Sequence, residues 1–183
     1  MDIGIDESTA LHAASGRGYA DVAELLIKHG ADVNANERNK STALHAASGK
    51  GHADVAELLI KHGADVNAEN DNKSTALHAA SGKGHADVAE LLIKHGADVN
   101  AKDRYESTAL HAASSEGHAD VAELLIKHGA DVNAKEHSNS TALHAASREG
   151  HADVAELLIK HGADVNAKDG CKSEKCNHDM NRK

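Results

Sequence analysis

Ser41-Thr42-Ala43-Leu44-His45-Ala46-Ala47-Ser48 recurs without change from Ser8, Ser74, Ser107 and Ser140, a step of 33 residues each time. A unit of that length cannot enclose a core alone, so like neighbours must stack. The chain therefore reads as a helical solenoid and not as a globular enzyme. Five units follow one another without a linker, at 3–35, 36–68, 69–101, 102–134 and 135–167. Residues 1–167 are expected to form one elongated domain, and 168–183 a truncated sixth unit and flexible tail.

Inside module two, Thr42 is placed to cap a short helix through Leu44 to Ser48, with Gly49 and Gly51 available to end it. A second helix is expected from about Asp54 to His62, where Val55, Leu58 and Leu59 make an apolar stripe that Ala56 and Ile60 widen. Asp54 lies in its first turn and Lys61 in its last, with Glu57 four residues ahead of Lys61, so its charges suit the helix dipole and an ion pair. Gly63 follows as a left-handed stop, and Ala64-Asp65-Val66-Asn67-Ala68 is expected to lead into an exposed turn.

Composition agrees with an all-α array. Ala, Leu, Val and Ile supply the apolar content, Phe, Trp and Pro are absent, and the only tyrosines are Tyr19 and Tyr105. The net charge of −9 comes from the constant Asp54, Glu57, Lys61 and Asp65 set, repeated in each module. Nucleic-acid binding is not expected from such an acidic scaffold, since displacing counterions needs clustered Lys and Arg. The acidic start Met1-Asp2-Ile3-Gly4-Ile5-Asp6-Glu7 does not resemble a signal peptide and no apolar run could span a bilayer, so no membrane contact and a cytoplasmic or otherwise intracellular location are expected.

Thr42-Ala43-Leu44-His45, Gly51-His52 and Gly63-Ala64-Asp65-Val66-Asn67-Ala68, repeated in register from residue 3 to 167, closely resemble the ankyrin repeat. The resemblance implies an ankyrin-type solenoid of stacked helix-turn-helix repeats with projecting β-turn tips and a general role in binding other proteins. Two departures stand out. Ala43 replaces the proline usual at the first helical position, and the usual turn glycine becomes Glu7, Lys40, Lys73, Glu106 or Asn139. Both are expected to loosen the scaffold.

What differs between modules is confined to two places and to Tyr19, whose equivalents are His. One place is the tip, 3–7, 36–40, 69–73, 102–106 and 135–139; the other is the end of the first helix, at Gly16-Arg17, Gly49-Lys50, Gly82-Lys83, Ser115-Glu116 and Arg148-Glu149. By resemblance these form a concave surface that grips a partner. The expected contact residues are Arg38, Asn39, Lys40 and Lys50 in module two, and Asp71, Asn72, Lys73 and Lys83 in module three. Modules four and five add Arg104, Tyr105, Glu106 and Glu116, then His137, Ser138, Asn139 and Arg148. Arg104 and Tyr105 are the expected anchors, because these side chains join contact area to directed donors.

Sixteen histidines raise the question of a metal. His45, His52 and His62 recur once per module, and helices stacked about 8–10 Å apart keep equivalent rings too far from one another to share a zinc ion. By resemblance, His45 hydrogen-bonds locally and to its neighbour. No cofactor, metal or catalytic set is expected, since no phosphate loop, nucleophile elbow or unrepeated acid–base pair is present. Cys171, Cys176 and His178 form only an irregular cluster in the tail. The first function expected is non-catalytic protein binding. The alternative is a structural element that self-associates weakly end to end, through Leu11, Val22, Leu25 and Leu26 of module one and Leu143, Val154, Leu157 and Leu158 of module five.

Overall fold

The computed structural model describes residues 9–170. They form ten helices and, among the described residues, no strands: α1 (Ala10–Gly16), α2 (Ala20–Lys28), α3 (Ala43–Ser48), α4 (Ala53–Lys61), α5 (Ala76–Ser81), α6 (Ala86–Lys94), α7 (Ala109–Glu116), α8 (Ala119–Lys127), α9 (Ala142–Glu149) and α10 (Ala152–Lys160). The odd-numbered helices pack on one another in chain order, the even-numbered helices do the same, and each odd helix packs on the even one that follows it. This is the two-layered all-α repeat solenoid that the 33-residue period predicts.

Each short first helix starts at a threonine in extended conformation, Thr42 having φ −102° and ψ 168°, and closes a capping box with the histidine three residues on. The Thr42 N–H donates to Nδ1 of His45 at 3.2 Å, and the Thr42 hydroxyl lies 2.9 Å from the same nitrogen. Nδ1 must then be the unprotonated nitrogen, which leaves Nε2–H to donate to the Ser74 carbonyl of the next module at 3.0 Å. His12, His78 and His111 repeat the bridge to Ser41, Ser107 and Ser140. His144 keeps the local contact with Thr141.

A second polar clamp sits after the second helix. Asn34 donates its amide to the Gly63 carbonyl at 3.0 Å and accepts from the Asp65 N–H at 2.8 Å, and Asn67, Asn100 and Asn133 do the same to their following modules. In the segment that leads into the tip, Ala64 and Val66 are buried. Their burial accompanies the Asn clamp, which holds the segment against its neighbour. Gly63 does stop its helix in the left-handed region, at φ +88°.

Between the two clamps lies the aliphatic core. Leu44, Val55, Ala56 and Leu59 are fully buried, as are their equivalents in modules three and four, each large side chain contributing about 1.5–3 kcal/mol on burial. Gly51 is fixed by its neighbour as well as by its φ of +74°, since a Cβ there would stand 2.6 Å from Nδ1 of His85. Gly18, Gly84 and Gly117 receive His52, His118 and His151 in the same way. Tyr19 occupies that histidine's place in module one and is exposed. The Ser15, Ser48, Ser81 and Ser114 hydroxyls are buried with no hydrogen-bond partner among the described residues.

The two ends differ from the sequence expectation. Leu11, Val154 and Leu158 are buried within their own surroundings, while Leu26, Leu143 and Leu157 are half-buried. The exposed apolar side chains are Val22 and Leu25 at one end and Ile159 and Val165 at the other. Residues 168–170, read from sequence as tail, are placed against module five, where the Gly170 N–H donates to the Ser138 carbonyl. Cys171, Cys176, His178 and the Ile3–Glu7 tip lie outside the described residues.

Burial holds the imidazoles of His45, His78 and His111 below the ordinary histidine value of 6.5, against the opposing pull of their serine carbonyls. Near that value the unfolded chain takes up protons that the folded chain resists, so stability rises with pH there. It is complete above about pH 6.5 and declines as the pH falls through that value toward the folded-state values. Urea unfolding at pH 7.5 and 5.5 is expected to show a lower midpoint at the acid pH; equal midpoints would contradict the burial of these rings in the neutral form.

Candidate functional site

The tips are built by short polar side chains that fold the backbone onto itself. The Glu37 N–H donates to the Ser41 carbonyl at 2.8 Å, and the same closure recurs from Asn70 to Ser74, Asp103 to Ser107 and Glu136 to Ser140. Inside the loop, Asn39 Oδ1 accepts from the Ser41 N–H. Asn70 Oδ1 accepts from Asn72 and Ser74, and Asp103 Oδ1 from Tyr105 and Ser107. Asn70 and Asp103 thus vary with the tip yet shape its backbone.

Neighbouring tips are tied by one backbone bond each. The Asp71 N–H donates to the Asn39 carbonyl, Arg104 to Asn72 and His137 to Tyr105, at 2.8–2.9 Å. The sequence-selected side chains are thereby brought into one continuous row. Arg38, Asn39, Lys40, Asp71, Asn72, Lys73, Arg104, Tyr105, His137, Ser138 and Asn139 are exposed, and Glu106 is half-buried.

Several of these side chains already have partners inside the molecule. Lys40 lies 3.5 Å from Asp71 of the next tip, and Arg104 donates to Asn72 Oδ1 at 3.0 Å while its guanidinium carbon stands 5.5 Å from the centre of the Tyr105 ring. That cation–π contact leaves Tyr105 58% exposed and presents Arg and Tyr as one preassembled feature. Lys102 bonds Glu106 at 2.8 Å, and that hydrogen bond and charge hold the Glu106 carboxyl below the usual carboxylate range. Ser138 donates to Glu136, and Arg148 pairs with Asp169 at 2.7 Å.

The first-helix ends make a second row. Arg17, Lys50, Lys83, Glu116 and Glu149 occupy equivalent positions on stacked helices and are all exposed. A cleft of about 340 Å³ opens between the first-helix ends and tips of modules four and five, lined by His111, Glu116, Glu136, Arg148 and Glu149 among others. Arg17, Glu136 and Glu149, which are outside the expected contact set, stand at variable positions of the same two rows. Among the described residues no group of three His, Cys, Asp or Glu side chains is arranged to hold a metal ion, and no helix is long and apolar enough to cross a membrane.

A family model described as ankyrin repeats, in three copies, matches residues 1–70, 34–103, 62–136 and 103–169. The chain belongs to the ankyrin-repeat family. No curated protein matches it. Ankyrin repeats are generally protein–protein interaction modules and typically non-enzymatic scaffolds.

In these ankyrin tips the residue standing where glycine is usual is left-handed in every described case: Lys40 at φ 57°, Lys73 at 55°, Glu106 at 63° and Asn139 at 58°. A side chain other than Asn or Asp costs roughly 1–2 kcal/mol in that conformation. Lys40→Gly, Lys73→Gly and Glu106→Gly are each expected to raise stability by about 1 kcal/mol, and Asn139→Gly by less. Chemical denaturation of the single variants checks this, and an unchanged or lower midpoint for all three would remove backbone strain as a property of the tips.

Proposed function

We propose that this ankyrin-repeat chain is a non-catalytic module that holds a partner protein on the concave surface formed by its tips and first-helix ends. One observation carries the reading. Apart from Tyr19, all variation among the modules falls in those two places, and there the side chains are mostly exposed and aligned from module to module. The constant remainder of each module supplies the caps, the clamps and the aliphatic core, with Asp54, Glu57 and Lys61 as an exposed set whose equivalents are the same residues in every module.

Arg104 and Tyr105 are the anchors in this reading, because their mutual contact fixes both side chains before a partner arrives and so lowers the ordering cost of binding. Arg104→Ala or Tyr105→Ala is expected to weaken the partner by about 1–2 kcal/mol without changing helix content. The test is affinity capture with the wild-type chain against a control whose tips in modules two to five are scrambled. A partner retained equally by both would overturn the reading, and equal affinity of wild type and the Arg104→Ala/Tyr105→Ala double variant would remove module four from the site.

End-to-end assembly is a second reading, favoured by Val22 and Leu25 exposed at one end and Ile159 and Val165 at the other. The two surfaces differ, so contact would run head to tail and need not close. Light scattering over a concentration range is expected to show weak growth that Val22→Lys/Leu25→Glu abolishes. A constant monomeric mass at high concentration would exclude it.

A further inference from the structure

We propose that the row of first-helix ends is a charge-polarised track for an extended peptide segment that carries carboxylates along one half and cationic side chains along the other. The inference rests on the partner-binding reading above and names the chemistry of the partner. Along the stack the equivalent positions are Arg17, Lys50, Lys83, Glu116 and Glu149: three cations, then two carboxylates. All five are exposed and none forms an ion pair with another described residue. The cationic run stands out on a chain of net charge −9, whose constant acidic residues lie elsewhere in the module.

At the carboxylate end the cleft keeps the same polarity. There Glu116 and Glu149 share their cleft with Glu136, and the arginine that lines it, Arg148, is bonded to Asp169. A lysine or arginine from a partner entering that cleft meets three carboxylates and one already paired cation. A carboxylate meets two exposed cations without an ion-pair partner among the described residues at Lys50 and Lys83. The complementarity favours one arrangement of partner charges over its permutations.

Spacing selects the partner's conformation. Consecutive first helices pack side by side, at about 8–10 Å for helices in contact. A polyproline II segment repeats every three residues with a rise of about 3.1 Å each, so every third side chain returns to the same face after about 9 Å. A β-strand alternates faces, and its residues three apart point in opposite directions. A three-residue period therefore matches the module step, and two consecutive prolines between charged residues would hold the segment in that form.

Two synthetic peptides of equal composition test this: three Asp-Pro-Pro triplets followed by two Lys-Pro-Pro triplets, and an isomer in which Asp and Lys triplets alternate. Fluorescence anisotropy at low ionic strength is expected to give the segregated peptide at least tenfold tighter binding to the wild-type chain. The fivefold swap Arg17→Glu, Lys50→Glu, Lys83→Glu, Glu116→Lys, Glu149→Lys is expected to transfer that preference to a peptide with three Lys and two Asp triplets. The wild-type comparison needs no variant, so it stands even if the swapped chain does not fold. Equal affinity for the two isomers, or binding of neither, overturns the proposal. A protein partner that depends on the tips but is held equally by the folded swapped chain would leave the binding reading standing and remove the charged track.

Discussion

The imidazole of His45 performs two tasks that cannot be separated. Through Nδ1 it receives the Thr42 N–H that starts its own helix, and through Nε2–H it reaches the Ser74 carbonyl of the next module. Local helix initiation and inter-module docking are thus joined in one neutral ring. Because the ring is buried, losing either contact would leave a polar atom without water to replace it. The Asn67 clamp to Gly96 and Asp98 crosses the same interface, and Leu44, Val55 and Leu59 belong to the continuous core that runs through it. Stability then grows with the number of such interfaces, as expected where each unit touches only its neighbours.

Much of this architecture was legible because its signals are local. The capping threonine, the apolar stripe of α4, the Glu57–Lys61 pair at 2.9 Å and the left-handed Gly63 each concern residues within a few positions of one another. The parts not legible depend on residues about one module away. Nothing near Asn67 in sequence announces that its amide will hold Gly96 and Asp98, and nothing near Gly51 announces the ring of His85. The ends failed for the same reason. Which leucines lose water depends on how each helix pair closes on itself as well as on its neighbour, and Leu158 is covered by the first of these even where no further module follows among the described residues.

The candidate site was legible at the level of which positions vary, and less so at the level of what each residue does there. Variation alone places Asn70 and Tyr105 in one class, yet the first shapes the turn and the second projects from it. Arg148 was selected as a contact residue, and its pairing with Asp169 became visible only once residues 168–170 were placed beside module five. Tyr19 varies for a different reason. Its histidine equivalents sit over the glycine of the preceding module, and Tyr19 has no such glycine among the described residues.

Because the His-to-Ser and Asn-to-Gly clamps repeat at the same offset of 29 residues, the joints are interchangeable. Removing one interior module would leave two surfaces that fit each other as the originals did. Length is therefore a variable the fold can change in whole steps without redesigning any joint. A deletion of module three would set Lys50 beside Glu116, shortening the cationic run by one place while the carboxylate run stayed intact. The spelling of the surface can be edited by cutting and rejoining, like type on a rail, while the rail stays the same.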